Sequence, residues 1–272
     1  MTRHALLEAR DSLVTFPAAP DSLHRIRQSL EDPKTSLETI SDLIIGDEGL
    51  HSGLIGLQRV PFFGTVSALP GLGETLRVLG REKVGWAVGI LAAFQTLRPR
   101  DAIGQDLADA LWTRSSRVAA TAVKIAVGLA MRDLGGVARV RSLDRLYAAG
   151  LLHDVGWLVL AARDSLACQQ IDAETKLGGT DRRELERAHF GFAHDEIGGA
   201  FCLQWSFDRE FVLAVRDHHR PERQDLAMLD HLHLGEVVVR RQSGDPEKPS
   251  APAMTRRRLT LDELDRFAEM PG

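Results

Sequence analysis

The chain has 272 residues, 44% hydrophobic and 26% charged, with 34 basic and 38 acidic side chains for a formal net charge of −4. That length and balance support a sizeable buried core and exclude a disordered, collagen-like or low-complexity chain. The slight acidic excess exerts no global pull toward nucleic acid or anionic lipid, and two distant cysteines, Cys168 and Cys202, argue against a disulfide scaffold or a cysteine zinc site.

The opening MTRHALLEARDSLVTF has acids by its eighth residue and no long apolar core, so no signal peptide is expected and a reducing cytoplasm fits. Leu23, Ile26 and Leu30 share one face of a helix that Asp21 or Ser22 caps. Thr35 and Glu38 have capping-box spacing ahead of Ile40, Leu43 and Ile44. The proline- and glycine-rich stretch 61–73 marks an internal loop. The apolar stretch 84–97 is interrupted by Gly85, Gly89 and Gln95 and is too short to span a bilayer. RPRDAIG, 98–104, marks a boundary between two halves. Val118, Ala122, Ile125, Ala126 and Leu129 form a core-facing stripe; Ile197, Phe201 and Trp205 form another, and Phe211 with Val215 a third. Val237–Val239 is the best strand candidate, but it ends a helical pattern. Residues 242–253 read as a solvated loop or linker, and Thr260 with Glu263 as a last capping box before Leu264 and Phe267. The pattern predicts an all-α protein of about a dozen short helices, without an internal repeat.

Seven of the ten histidines lie between 153 and 233. His153-Asp154 is a polar pair inside an apolar segment, and His218-His219 follows the apolar face of Phe211 and Val215. Imidazole and carboxylate are good ligands for divalent first-row metals. Residue type alone favours a plainer reading, in which His153 and Asp154 bond to each other and to backbone. Helix-end histidines can likewise be solvated cations at a negative dipole end. His189 is expected at the surface, and one of His231 and His233 toward solvent. Trp86, Trp112, Trp157 and Trp205 read as core anchors, and Arg256–Arg258 as a solvated tail face.

The block YAAGLLHDVGWLVLA, 147–161, resembles the His-Asp motif of the HD superfamily of metal-dependent phosphohydrolases. The chain as a whole is more similar to the HDOD family, the HD-related output domains of bacterial signalling proteins. The likeness rests on FPAAP (16–20), SLETISDLIIGDEGL (36–50), VLG (78–80), LWTRSSRVAATAVKIA (111–126), ERAHFGFAHDEIGGAFCLQW (186–205) and AVRDHHRP (214–221), in the family's order. It implies an all-α HDOD-like domain over 12–240. A helical subdomain spans 12–98, an HD-like subdomain 102–240, and a linker with a C-terminal helix 242–272.

The departures make this a divergent member. The resemblance places Arg114 where HD-type sites have their first histidine, and arginine has no lone pair to give a metal. Glu236 falls at the superfamily's last aspartate. His194, His218 and His219 match the extra histidines of HD-GYP phosphodiesterases, but no Gly-Tyr-Pro is present; the single tyrosine is Tyr147. Arg59-Val60 replaces the family's Asn-Ser pair, and Glu48 the proline of its Asp-Pro turn. The expected function is therefore a non-catalytic regulatory module that binds a partner protein or a small nucleotide-like ligand. No cofactor, nucleic acid or membrane is expected, and Arg114 is expected to pair with Asp154 in place of a cation. The alternative is a metal-dependent phosphohydrolase or cyclic-dinucleotide phosphodiesterase. It would hold Fe, Mn or Mg on His153, Asp154, His194, His218, His219 and Glu236. A purely structural helical scaffold is the third reading.

Overall fold

The computed structural model describes residues 21–57, 72–132, 143–177, 180–244 and 248–269. These residues are helical, with no strand among them, and fall into two compact units divided between Arg98 and Pro99. The FPAAP motif, Arg59-Val60 and residues 61–71 of the expected internal loop lie outside the described residues.

The first unit contains α1 (Asp21–Glu31), α2 (Leu37–Ile45), α3 (Glu48–Leu57) and α4 (Leu72–Thr96). Its core is aliphatic: Leu23, Ile26, Ile40, Ile44, Leu50, Leu54, Leu76 and Ile90 are all buried. Burial of each such side chain contributes roughly 1.5–3 kcal/mol. The α2 cap is one residue later than the spacing predicted. Ser36, in extended backbone, accepts the Thr39 N–H at 3.1 Å. Thr35 instead donates to Asp32, and Glu38 pairs with Arg77. Asp47 caps α3 through the Leu50 N–H at 3.0 Å, so Glu48 takes the first helical position, where proline is favoured but not required. Arg81 gathers the carbonyls of Ser29, Leu30 and Asp32 at 2.7–3.1 Å, closing the exposed end of α1.

The second unit is built on α5 (Ala102–Arg132), a 31-residue helix rather than one of many short ones. The other helices are α6 (Leu143–Leu152), α7 (Val155–Arg163), α8 (Ser165–Leu177), α9 (Arg182–Phe190), α10 (His194–Gln204), α11 (Arg209–Asp217), α12 (Ala227–Gln242), α13 (Ala251–Arg257) and α14 (Leu261–Glu269). The stripe Val118, Ala122, Ile125, Ala126 and Leu129 is buried, as its period requires. Two glycines let neighbours close on α5. A Cβ on Gly150 of α6 would lie 2.4 Å from the Ala119 Cα, and one on Gly235 of α12 would lie 2.8 Å from the Ala122 amide nitrogen. Val237–Val239 are helical and all buried, because α12 is covered on more than one side. Among the tryptophans only Trp157 is buried; Trp86, Trp112 and Trp205 are half-buried.

The C-terminal segment differs most from expectation. The end of the expected linker, 251–253, is the first turn of α13, and Arg256 and Arg257 are not a solvated face. Ala253, Leu259 and Leu264 join Ile125, Leu129, Leu234, Val237 and Val238 in one apolar cluster. Arg256 and Arg257 both bond the buried Asp230. The capping box at α14 forms as read, with the Thr260 N–H on Glu263 at 2.8 Å and the Glu263 N–H on Thr260 at 3.2 Å. Among the described residues, no helix is long and apolar enough to cross a membrane.

Candidate functional site

Two histidines at helix ends are set by the same local device. His153 follows α6 and its Nδ1–H donates to the Gly150 carbonyl at 2.8 Å; His218 follows α11 and its Nδ1–H donates to the Val215 carbonyl at 2.6 Å. Each ring satisfies a carbonyl that its helix leaves open. Each thereby presents its Nε2 lone pair away from the helix, as ligating histidines do. Asp154 sits at the N-cap of α7, yet its carboxylate accepts no cap bond from α7. An N-cap aspartate ordinarily accepts an amide of the first turn. Here the carboxylate is turned to the histidines instead.

His194 begins α10 and is held by Glu186 of α9. The carboxylate accepts the His194 backbone N–H at 2.8 Å and its Nδ1–H at 2.6 Å. The α7–α10 approach depends on Gly156, where a Cβ would lie 2.0 Å from the His194 carbonyl oxygen. His194 Nε2 then lies 3.2 Å from Asp154 Oδ1 and 3.0 Å from His219 Nε2. His218 Nε2 lies 3.4 Å from the same aspartate oxygen and 3.8 Å from Glu236 Oε2, which α12 supplies. The structure thus groups ligand atoms of Asp154, His194, His218 and His219 within 4.8 Å of one another, and likewise those of His153, His218 and Glu236.

Arg114, on α5, donates through Nη2 to Asp154 Oδ2. The guanidinium engages Oδ2, which His153 Nε2 also approaches at 3.4 Å, while His194 and His218 face Oδ1. Burial works against a charge on Asp154, yet His153, Arg114 and His194 together hold its carboxyl well below the usual range. Burial also works against His194, but Glu186 and Asp154 push it up to about 10. His219 moves the other way: burial and the neighbouring His218 and His194 lower it well below the usual imidazole value. Burial likewise lowers His153. Burial works against His218 too, but Asp154 and Glu236 raise it, so the cage is mixed: His194 and His218 are shifted toward the charged form, His153 and His219 toward the neutral one.

Four buried atoms in this cage have no hydrogen-bond partner: His153 Nε2, Asp154 Oδ1, His218 Nε2 and Glu236 Oε2. Each such atom costs about 1–3 kcal/mol if nothing meets it. Lone pairs of nitrogen and oxygen converging in this way suit one divalent first-row cation. A second ion on the Arg114 side of Asp154 does not fit. Two unit charges 4 Å apart repel by about 4 kcal/mol at an effective dielectric constant of 20.

The sequence reading placed these residues in one set but missed their supports. Glu186 lies in the quoted 186–205 motif, eight residues before His194, and its spacing was the available signal. His233 is buried and donates from Nδ1 to the His218 carbonyl at 2.8 Å. Asp195 is buried and paired with Arg220 at 2.9 Å. His218 and His219 are not solvated helix-end cations; both are enclosed, with side-chain exposures of 0% and 10%. His189 is exposed at the surface, and His231 is partly exposed. Trp157 carries Arg182 over its ring, 4.0 Å from the centroid, and Arg182 also bonds Asp172.

The HDOD domain family model matches residues 16–221. A comparison with curated proteins found no match. Solved structures with this fold include a provisionally named phosphohydrolase from Shewanella amazonensis SB2B, at TM-score 0.65 and 20% identity, covering 97% of this chain and 92% of that one. An HDOD domain protein of unknown function from Geobacter sulfurreducens gives TM-score 0.62 and 22% identity, covering 97% and 92%. A provisionally named signal transduction protein from Marinobacter aquaeolei VT8 gives TM-score 0.64 and 17% identity, covering 98% of this chain and 61% of that one.

Proposed function

The chain belongs to the HDOD family, and from that premise we propose that it is a bacterial signal-transduction module that acts by binding, not by hydrolysis. It works in the cytoplasm, where it binds a partner protein or a small nucleotide-like ligand and passes on a conformational change. The observation that carries this reading is the Arg114 guanidinium on Asp154. Two-metal hydrolysis needs ions about 3.5–4 Å apart that lower the pKa of a shared water. Arg114 puts a permanent cation on the carboxylate that such ions would share.

The four unpartnered atoms favour a second reading, a metal-dependent phosphohydrolase or cyclic-dinucleotide phosphodiesterase built on His153, Asp154, His194, His218, His219 and Glu236. Elemental analysis of the purified protein, with a cyclic-dinucleotide turnover assay under added manganese, iron and magnesium, separates the two. The binding reading expects less than one equivalent of metal and no turnover. It also expects Arg114→His, which restores a nitrogen donor, to raise bound metal. One or two equivalents in the native protein, with turnover that His153→Ala abolishes, establishes the hydrolase reading instead.

A further inference from the structure

The C-terminal arm, residues 250–269, lies beyond the family match and is bonded to residues that support the candidate site. The Ser250 backbone N–H donates to His233 Nε2 at 3.0 Å. The other nitrogen of that ring donates to the His218 carbonyl at 2.8 Å. One buried imidazole, 3% exposed, therefore bridges the arm to the turn that carries His218 and His219. A neutral ring suits this bridge, since one nitrogen donates and the other accepts. A second tie runs beside it. Arg256 of α13 donates to the Pro221 carbonyl at 2.8 Å while its guanidinium also holds Asp230 of α12. The same α12 carries Glu236. The arm thus fastens both segments that bring ligand atoms from the C-terminal side of the site. Its own hold is the apolar cluster of Ala253, Leu259 and Leu264.

We propose that the arm is a conformational strap, and that His233 is a positioning residue through which docking of the arm sets the His218–His219 turn. Release of the arm removes the acceptor bond on His233 and the bond on Pro221 together, leaving the turn to its remaining ties, Arg220 on Asp195 and His219 on His194. By reciprocity, whatever occupies the site in the docked geometry tightens the arm. The arm then gives a signalling module a way to pass the state of its site to its surface. This inference goes beyond the proposed function and stands whether the site takes a metal or not.

The test uses the full chain and hydrogen exchange by peptide. Ser250 has φ −61°, within the range of proline, so Ser250→Pro suits the φ there; it removes the donor and sets the ring's Cδ against His233 Nε2, which breaks the bond and pushes the arm from the imidazole. Leu264→Asp is the second variant and detaches α14 from the apolar cluster. Arm release in either variant is expected to speed exchange in both 250–269 and 215–224, in Ser250→Pro by at least the roughly two- to tenfold that losing one hydrogen bond gives. Exchange in 118–129 of α5 stays as in the native chain. The imidazole nitrogen shifts of His218 and His219 move with the arm, a signature that mere loss of cover would not produce. An arm that loosens while 215–224 and the imidazole signals stay unchanged overturns the proposal. So does an arm that stays protected in both variants.

Discussion

At residue scale, the pair of Arg114 and Asp154 sets the charge balance of the candidate site. Asp154 is buried and Arg114 is 31% exposed on its side chain, so the pair is weaker than a fully buried one and stronger than a surface one. Arg114→Ala leaves the carboxylate facing only imidazoles. We expect a loss of about 1–3 kcal/mol in urea unfolding at neutral pH. An unchanged midpoint would show that the histidines suffice. His231 offers a separate test away from the cage. Burial and the nearby Arg257 lower it from 6.5 to about 4. The unfolded chain therefore binds more protons than the folded one between those values. That contribution to stability is complete above about pH 6.5 and is lost as pH falls toward 4. The native chain should lose more stability from pH 7 to pH 5 than His231→Gln does; parallel losses would remove His231 as a cause. What the sequence made legible here was which polar residues come together. His153, Asp154, His194, His218, His219 and Glu236 stand in motif order, and the structure groups their ligand atoms. Less legible was what aims them. The Nδ1 bonds of His153 and His218 go to carbonyls, which leave no mark on residue type, and His233 acts from fifteen residues away.

At the scale of elements, period carried more information than composition. The α5 stripe and the α14 capping box are readable because each needs particular residues at fixed spacing. The α2 cap slipped by one residue because Thr35 and Ser36 are both competent caps, and only the backbone at Ser36 decides between them. The docking of the arm is unreadable for a different reason. QSGDPEKPSAPA has the makeup of a solvated linker, and what packs α13 and α14 is a distant surface of α5 and α12. Gly156 is a close-approach position of the same kind, invisible without its neighbour. A Cβ there would meet the His194 carbonyl at 2.0 Å and the Gly198 amide nitrogen at 2.8 Å, both backbone atoms that cannot swing aside. Gly156→Ala should therefore push α10 from α7, at a cost of about 1–3 kcal/mol. It should also shift the His194 imidazole signals, because His194 leaves Asp154. A variant with native stability and native imidazole shifts would mean that α10 relaxes without moving the site.

The whole molecule separates into two units, and every residue of the candidate site, from Arg114 to Glu236, belongs to the one that starts at Pro99. That unit anchors its own beginning. Asp101 caps α5 through the Gly104 N–H at 2.9 Å and accepts the Ser165 hydroxyl at 2.6 Å, so the start of α5 is tied within the same unit. Its core runs from Leu111 on α5 through Leu151, Phe201 and Phe211 to Leu264 on α14, all buried. A chain of this length can bury about two thirds or more of its unfolded surface without help. We therefore expect a fragment of residues 99–272 to fold alone. Far-UV circular dichroism should show a helical protein, urea should unfold it in one cooperative step, and its histidine imidazole signals should match those of the full chain. The three readouts decide different things. A helical fragment without a cooperative transition would be a compact state that lacks fixed packing, in which case the fold needs residues the fragment lacks. A cooperative fragment with displaced imidazole signals would place part of the site's geometry under the control of the first unit.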